Sequence, residues 1–388
     1  MFASEVIIEL TELDHLHAEW DELAVASKLP LMAPACVLAW WRHLAPATAE
    51  PRMVAVKDGA RLVGFAPFYV DRAARGGRSG LRLPGTALGG RLAPLAASGQ
   101  EQPVAAALAA ALAGSSRCPD LVAFEAMPLA GDWAELIRAT WPARRHPASR
   151  RYHASGCPTV SLHAGSFEEW LKSKSSSFRA DMRKLRRQFA AAGGSTRLST
   201  PETLRADVEV LMRLHDSRWQ ERGGSKLVGL GAGLPALIDD LGEALLHEEG
   251  RFRLRLCEVA GEPISAQLDL AAGGVVQGVV AGWDERFFKL KPSTLGVLAV
   301  IEDALERGDE RFDLGLGEQA YKLRFADGND PVAWTILIPA GAQLPLTLLR
   351  TAPMRARATL QSALKRRLSE KQVIRLRRIS RRLGARTL

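Results

Sequence analysis

Residues 251–283 read RFRLRLCEVAGEPISAQLDLAAGGVVQGVVAGW. Three apolar runs are separated by Ala260-Gly261 and Gly273-Gly274, where glycine supplies the positive φ that a tight hairpin needs. The stretch is therefore expected to fold as a three-stranded antiparallel meander. In its middle run Gln267 and Asp269 alternate with leucines, so both polar groups fall on one face of the strand. Such a face suits a ligand, and it equally suits the wet side of an antiparallel edge.

Beyond the meander, Asp284 to Lys291 leads into an expected helix from Pro292 to Arg307, then a strand at Arg311–Leu314, the segment GLGEQAYKLRFAD (315–327) and a last strand at Ala333–Ile338. Upstream lie a strand at Thr159–Leu162, a basic helix from Phe167 to Ala192 and a helix from Pro201 to Arg222. A helix start collects anions, because its first amides are unpaired and the dipole points its positive end there. Thr294, Leu295 and Gly296 are the candidate amides, with Ser293 or Thr294 as cap. The same residues also describe an ordinary N-cap with a packing glycine.

The first half repeats this grammar. A strand at Ser4–Leu10, helices at Thr11–Lys28 and Pro34–Leu44, and a hairpin in PRMVAVKDGARLVGFAPFYV (51–70) around Asp58-Gly59 precede a helix from Glu101 to Leu112, a strand at Asp120–Glu125 and a helix near Trp133. Leu62-Val63-Gly64 and Ile264-Ser265-Ala266 occupy equivalent hairpin positions, which suggests a duplicated unit and equally fits the grammar that any hairpin shares. Periodicity fails between Thr140 and Pro158, which places a boundary there. The expected organisation is a domain over 1–150, a second over 158–340 and a tail over 341–388. The class is α/β (α+β): two tandem domains, each a mixed, mainly antiparallel sheet flanked by helices, and a basic helical tail.

Charge divides unevenly. The formal net charge is +9, yet residues 341–388 carry thirteen Lys and Arg against the single acid Glu370, so the remainder is close to neutral. Leu360, Leu364, Leu368, Ile374, Ile379 and Leu383 interleave with these bases, a composition that fits an amphipathic helix on an anionic membrane surface, a helix docked on a partner, or a mobile basic tail. No aromatic stacking pattern accompanies the bases, which ranks nucleic acid lower. The chain lacks a run of ~18 uncharged apolar residues that would span a bilayer. Its opening, MFASEVIIELTELDH, has acids where a secretory signal needs cations. Cys36, Cys118, Cys157 and Cys257 stand far apart, so neither a zinc site nor a disulfide framework is expected and a cytoplasmic setting fits. Arg179, Arg183 and Arg186 recur at helical spacing, a stripe for an anionic sugar nucleotide, lipid diphosphate or tRNA, or a solvated face. His215, beside Asp216 in a helix, is read as a capped or surface group.

The stretch 281–327, AGWDERFFKLKPSTLGVLAVIEDALERGDERFDLGLGEQAYKLRFAD, resembles the end of the BioF2-like, CelD-type acetyltransferase domain. That is a GNAT branch similar in layout to the FemAB aminoacyltransferases. The resemblance rests on Trp283, Lys291-Pro292-Ser293-Thr294-Leu295-Gly296, Gly308, Phe312-Asp313 and Gly317-Glu318-Gln319-Ala320-Tyr321-Lys322. It extends more weakly over Phe167 to Ile338. The turn departs from the family in reading Ser-Thr-Leu-Gly, and the usual Gly-rich phosphate motif is not evident.

What the resemblance implies is an acyltransferase using acetyl-CoA or another acyl-CoA, with no metal, acting on a small-molecule or saccharide acceptor in polysaccharide or envelope synthesis. An aminoacyl-tRNA-dependent transferase and a non-catalytic scaffold of the same fold are the alternatives. Acyl transfer needs a base, donors for the oxyanion and a proton for the departing thiolate. Tyr321 is the implied general acid, and Lys322 stabilises negative charge or anchors a phosphate. Glu318 and Asp313 compete as base, while Ser293, Thr294, Leu295 and Gly296 hold the diphosphate. Gln267, Asp269, Arg179, Arg183 and Trp283 are expected against the substrate.

Overall fold

A computed structural model describes residues 2–71, 80–114, 119–220, 227–248, 250–367 and 372. They divide into two units, 2–157 with 330–367, and 158–329.

The first unit runs through β1 (Phe2–Ile7), α1 (His17–Ala26), α2 (Pro34–His43), β2 (Ala49–Pro51), β3 (Met53–Asp58), β4 (Arg61–Ala66), β5 (Tyr69–Asp71), β6 (Gly80–Arg82), β7 (Leu95–Ala96), α3 (Glu101–Gly114), β8 (Leu121–Pro128), α4 (Trp133–Ala139) and β9 (Ala148–Ser155). The second comprises β10 (Pro158–Ser161), α5 (Phe167–Lys172), α6 (Ser176–Ala191), β11 (Gly194–Leu198), α7 (Leu204–Gln220), α8 (Gly233–Leu245), β12 (Phe252–Val259), β13 (Glu262–Ala272), β14 (Val275–Trp283), α9 (Pro292–Glu306), β15 (Arg311–Asp313), α10 (Ala320–Leu323) and β16 (Gly328–Asn329). The chain then re-enters the first unit as β17 (Val332–Ile338) and α11 (Leu344–Arg367).

Unit one holds a four-stranded sheet, β1-β3-β4-β7, and a six-stranded sheet, β2-β5-β6-β8-β17-β9. Only β6 and β8 pair in parallel among these strands. Two sequence expectations are corrected here. The stretch after Thr140 is not all linker: it forms β9, whose pattern hides itself because Arg150 and Arg151 are both exposed on an edge strand. The run VAWTILI does not close the second unit. It is flanked by β8 and β9 and buried at nearly every residue, and a continuous apolar run of that kind requires a central slot with both neighbours present. The basic segment likewise begins as a packed helix, α11, with Leu344 and Leu348 against a small core of Ala123, Ile336 and Ile338. Residues 368–371 and 373–388, and Cys118, lie outside the described residues.

Unit two has one sheet of order β11-β12-β13-β14-β15-β10-β16. The meander forms with turns at Gly261 (φ 80°) and at Gly273 and Gly274 (φ 57° and 77°). Its strand β14 pairs in parallel with β15, joined by the crossover helix α9. Two glycines set how helices lie on this sheet. A Cβ on Gly282 would sit inside the main chain of Leu214 and His215, so α7 rests directly on β14 there. A Cβ on Gly296 would meet Ser265 Oγ and Gln267 Oε1, both at 3.6 Å, placing the start of α9 over β13. Ala266, the cross-strand partner of Gly282, alternates with Ser265 and Gln267, so α7 and α9 cover opposite faces. The α9 face buries Phe178, Met182 and Leu185 from α6 together with Leu298, Val300, Ile301 and Phe312. Among the described residues no His, Cys, Asp or Glu cluster is disposed for a metal, and no helix is long and apolar enough to cross a membrane.

Candidate active site

Strand β14 has nine residues, but only Val275, Val276 and Gln277 pair with β15. Past Gln277 the parallel pairing ends, because β15 itself ends at Asp313. On its other side β14 stays paired to β13 as far as Trp283, with a bulge between Leu268 and Asp269 that leaves Val279 opposite no residue. Gly278, Val279 and Ala281 are partly exposed although they belong to an interior strand. Residues 278–282 of β14 are thus paired to β13 on one side and to no β15 residue on the other, a break in the sheet that we call the wedge.

Charged and amide side chains crowd the closed end of the wedge. Gln277 is fully buried with neither amide atom hydrogen-bonded, and Asp313 pairs with it across the strands. On the α9 face Asp269 is 1% exposed; its Oδ1 accepts from Gln267 Nε2 at 2.8 Å and lies 3.5 Å from where a Cβ on Gly278 would stand. Burial pushes the Asp269 carboxyl up to about 7, against the opposing pull of Gln267, Arg255 and Arg253. Gln267 and Asp269 thus share a face as expected, and β13 lies between β12 and β14, so the wet-edge reading does not hold. Beside them Arg255 pairs with Asp303 of α9 at 2.8 Å, and Arg253 pairs with Asp309 at 2.6 Å, fixing the helix on the sheet.

The start of α9 departs from expectation. Lys291 takes a left-handed conformation (φ 46°) and serves as N-cap, with no side-chain cap from Ser293 or Thr294. Pro292 has no N–H, and the amides of Thr294 and Leu295 both donate to the Lys291 carbonyl, at 2.8 and 3.2 Å. Thr294, Leu295 and Gly296 are buried, and Gly296 faces the sheet. This helix start therefore presents the Ser293 amide and the exposed Lys289 and Lys291, in place of the expected run of amides.

Of the four implied catalytic groups, Tyr321 stands at the wedge: its ring meets Trp283, the last residue of β14, edge-on at 6.3 Å. Arg218 of α7 stacks its guanidinium 3.3 Å from the centre of the Trp283 ring. Lys322 is instead a structural tie, 6% exposed, donating from Nζ to the carbonyls of Gly315 and Leu316, both at 3.0 Å. Asp313 is also structural in part, since its Oδ1 accepts the Gly315 N–H at 2.8 Å and shapes the turn after β15. Glu318 is exposed and accepts from Asn329 at 3.1 Å. The arginine stripe is spent inside the unit. Arg179 donates to the carbonyls of Lys172 and Lys174, Arg183 pairs with Glu168, and Arg186 pairs with Glu302 while covering Phe167.

Two residues gained importance that the sequence did not give them. His215 is 3% exposed, with Nδ1 2.9 Å from the carbonyl of Ala281 on the open part of β14, and burial lowers its pKa. A carbonyl only accepts, so the Nδ1 proton points to Ala281 and the ring is held in one tautomer. Arg218 is the other, and its spacing from Trp283 crosses 65 residues of sequence, which local periodicity does not reveal.

The sequence model described as an acetyltransferase (GNAT) domain matches residues 176–323, a span that contains α6 through α10 and the whole wedge. No curated protein matches the sequence. Among solved structures, FemX is similar over 89% of this chain and 99% of its own, with a TM-score of 0.59 at 11% identity. A conserved protein of unknown function from Bacteroides thetaiotaomicron covers 87% of this chain and 100% of its own, with a TM-score of 0.51 at 9% identity. A tandem GNAT protein from the clavulanic acid biosynthesis pathway aligns at a TM-score of 0.43 and 11% identity, over 87% and 99% of the two chains. Residues 176–323 thus match the acetyltransferase (GNAT) domain model, and the fold of the chain is similar to that of FemX.

Proposed function

We propose that unit two is an acyl-CoA-dependent N- or O-acyltransferase, in the first instance an acetyltransferase, that works at the wedge between β14 and β15. The observation that carries this reading is the end of parallel pairing at Gln277, past which β14 runs on with no β15 residue paired to it. An extended chain bearing amides, such as the pantetheine arm of coenzyme A, can add to such an edge as a further strand. Its thioester then lies toward Trp283 and Tyr321. The acceptor amine or hydroxyl attacks the thioester carbonyl, the carbon–sulfur bond breaks, the Tyr321 phenol gives its proton to the departing thiolate, and the resulting phenolate takes up the proton that the acceptor loses. His215, neutral and held in one tautomer, keeps β14 in register on α7. Cytoplasmic polysaccharide or envelope synthesis is the setting we propose, on the CelD-type resemblance.

The coenzyme's diphosphate has less to hold it than its arm, since the helix start offers one amide and two lysines. That shortage favours a second reading, a FemAB-like transfer from aminoacyl-tRNA, whose acyl group is delivered without a diphosphate at this position. Calorimetry with acetyl-CoA and filter retention of charged tRNA separate the two. Heat with acetyl-CoA that is lost in Gly278→Val supports the first; retention of tRNA without that heat supports the second. Silence in both leaves a non-catalytic protein of this fold and ends the enzymatic reading.

A further inference from the structure

Helix α11 buries one side and leaves the other bare. Thr347 and Thr351 are buried, and Leu344 and Leu348 pack on the sheet of unit one. At about 100° per residue, Leu346, Leu349, Pro353 and Leu360 fall together on the opposite side within roughly a sixth of the circumference, with Arg350 and Arg357 on its flank. Leu349 is 70% exposed and Leu360 63%, the two most exposed leucines of the described residues. An isolated exposed leucine is ordinary, but three on one face with two arginines are not. The same cationic and apolar composition continues in the sequence beyond the described part of the helix: residues 368–388 add seven Lys and Arg, one acid, and Leu368, Ile374, Ile379 and Leu383.

We propose that the outward face of α11 docks on an anionic lipid leaflet, with the leucines entering the interface and the arginines pairing with lipid phosphates. The charge is complementary to such a surface, and its apolar interior gives Leu346, Leu349 and Leu360 somewhere to go. RNA would satisfy the arginines alone, because a sugar–phosphate backbone does not reward burial of leucine and this face carries no aromatic side chain for base stacking. Docking of this kind belongs to unit one and stands whether or not the wedge transfers acyl groups.

The test is co-sedimentation of the full chain with phosphatidylcholine vesicles prepared with and without phosphatidylglycerol, with tRNA as competitor. Binding is expected only to the phosphatidylglycerol vesicles and is expected to weaken as salt is raised. Leu349→Ser with Leu360→Ser is expected to lower the vesicle affinity on the order of tenfold, and Arg350→Gln with Arg357→Gln by a similar factor. All four positions are exposed, so the thermal midpoint is expected to stay put and reports that the variants fold. Equal binding to both vesicle types, no binding to either, or an affinity indifferent to the leucine pair overturns the proposal. Displacement by tRNA together with that indifference assigns the face to RNA.

Discussion

Asp269 shows how much a single buried carboxyl can govern. Its folded-state pKa, about 7, lies above the ordinary 3.8, so between those values the native chain keeps a proton that the unfolded chain releases. Stability contributed by this group is complete below the ordinary value and is lost as pH rises toward 7. The bound is roughly 4 kcal/mol, from 1.36 kcal/mol per pKa unit. Asp269→Asn keeps the shape and the amide–carbonyl contact to Gln267 and cannot ionise. We expect it to match the parent near pH 4 and to be more stable by up to that amount at pH 8, read from urea unfolding at both. A difference between the two proteins that does not grow with pH refutes the assignment. Tyr321 and Lys322 separate by the same logic. Tyr321→Phe is expected to cost about 10²- to 10⁴-fold in kcat with an unchanged melting temperature. Lys322→Ala instead lowers the melting temperature, because the buried Gly315 carbonyl and the part-buried Leu316 carbonyl lose their donor. Neighbours in sequence, they were legible as a chemically promising pair, but the helical turn of α10 sends one to the wedge and the other inward, and only the fold decides which.

For elements, the contrast between Gly278 and Gly282 on the same strand isolates packing from opening. Alanine at 282 drives its methyl into the main chain of Leu214 and His215, which cannot rotate away, so we expect a loss of at least about 1–3 kcal/mol and a clear fall in melting temperature. At 278 the new methyl meets Asp269 Oδ1 and the Asp313 carbonyl at 3.5 Å and Phe312 at 3.8 Å, which is ordinary contact. Gly278→Ala is therefore expected to melt within a degree or two of the parent while weakening acetyl-CoA binding, since it narrows the wedge near its closed end. Comparable melting losses at both positions, in differential scanning fluorimetry, would count against this account. The meander, its glycine turns, the crossover helix and the shared face of Gln267 and Asp269 could all be read from alternation and turn chemistry. The wedge could not, because where a parallel pair stops depends on a non-local register between 275–277 and 311–313. The helix start misled for a related reason: Lys291 in the left-handed region turns the first amides of α9 back on its own carbonyl.

At the scale of the whole chain, the order of sequence is not the order of space. Unit two is an insertion in unit one, entered after β9 and left before β17. The domain boundary near 158 is where the sequence loses its period, but the return point is invisible in the sequence, since VAWTILI looks like the closing strand of whichever sheet is nearest. The topology gives both junctions matching ends. Pro158 pairs with Asn329 across β10 and β16, while the Asp330 N–H donates to the Cys157 carbonyl at 2.9 Å. Paired residues on antiparallel strands lie about 4.5–5.5 Å apart, so excising 158–329 leaves each piece with adjacent termini. We expect residues 158–329 alone to melt cooperatively, and residues 1–157 joined through a short glycine linker to 330–367 to do the same. Residues 1–150, by contrast, lack β17 and most of its edge partner, and leave β8 with a bare edge in the middle of a six-stranded sheet. That fragment is expected to aggregate. A soluble, cooperatively melting 1–150 would show that the sheet closes without its returning strand, and the insertion topology would then have to be abandoned.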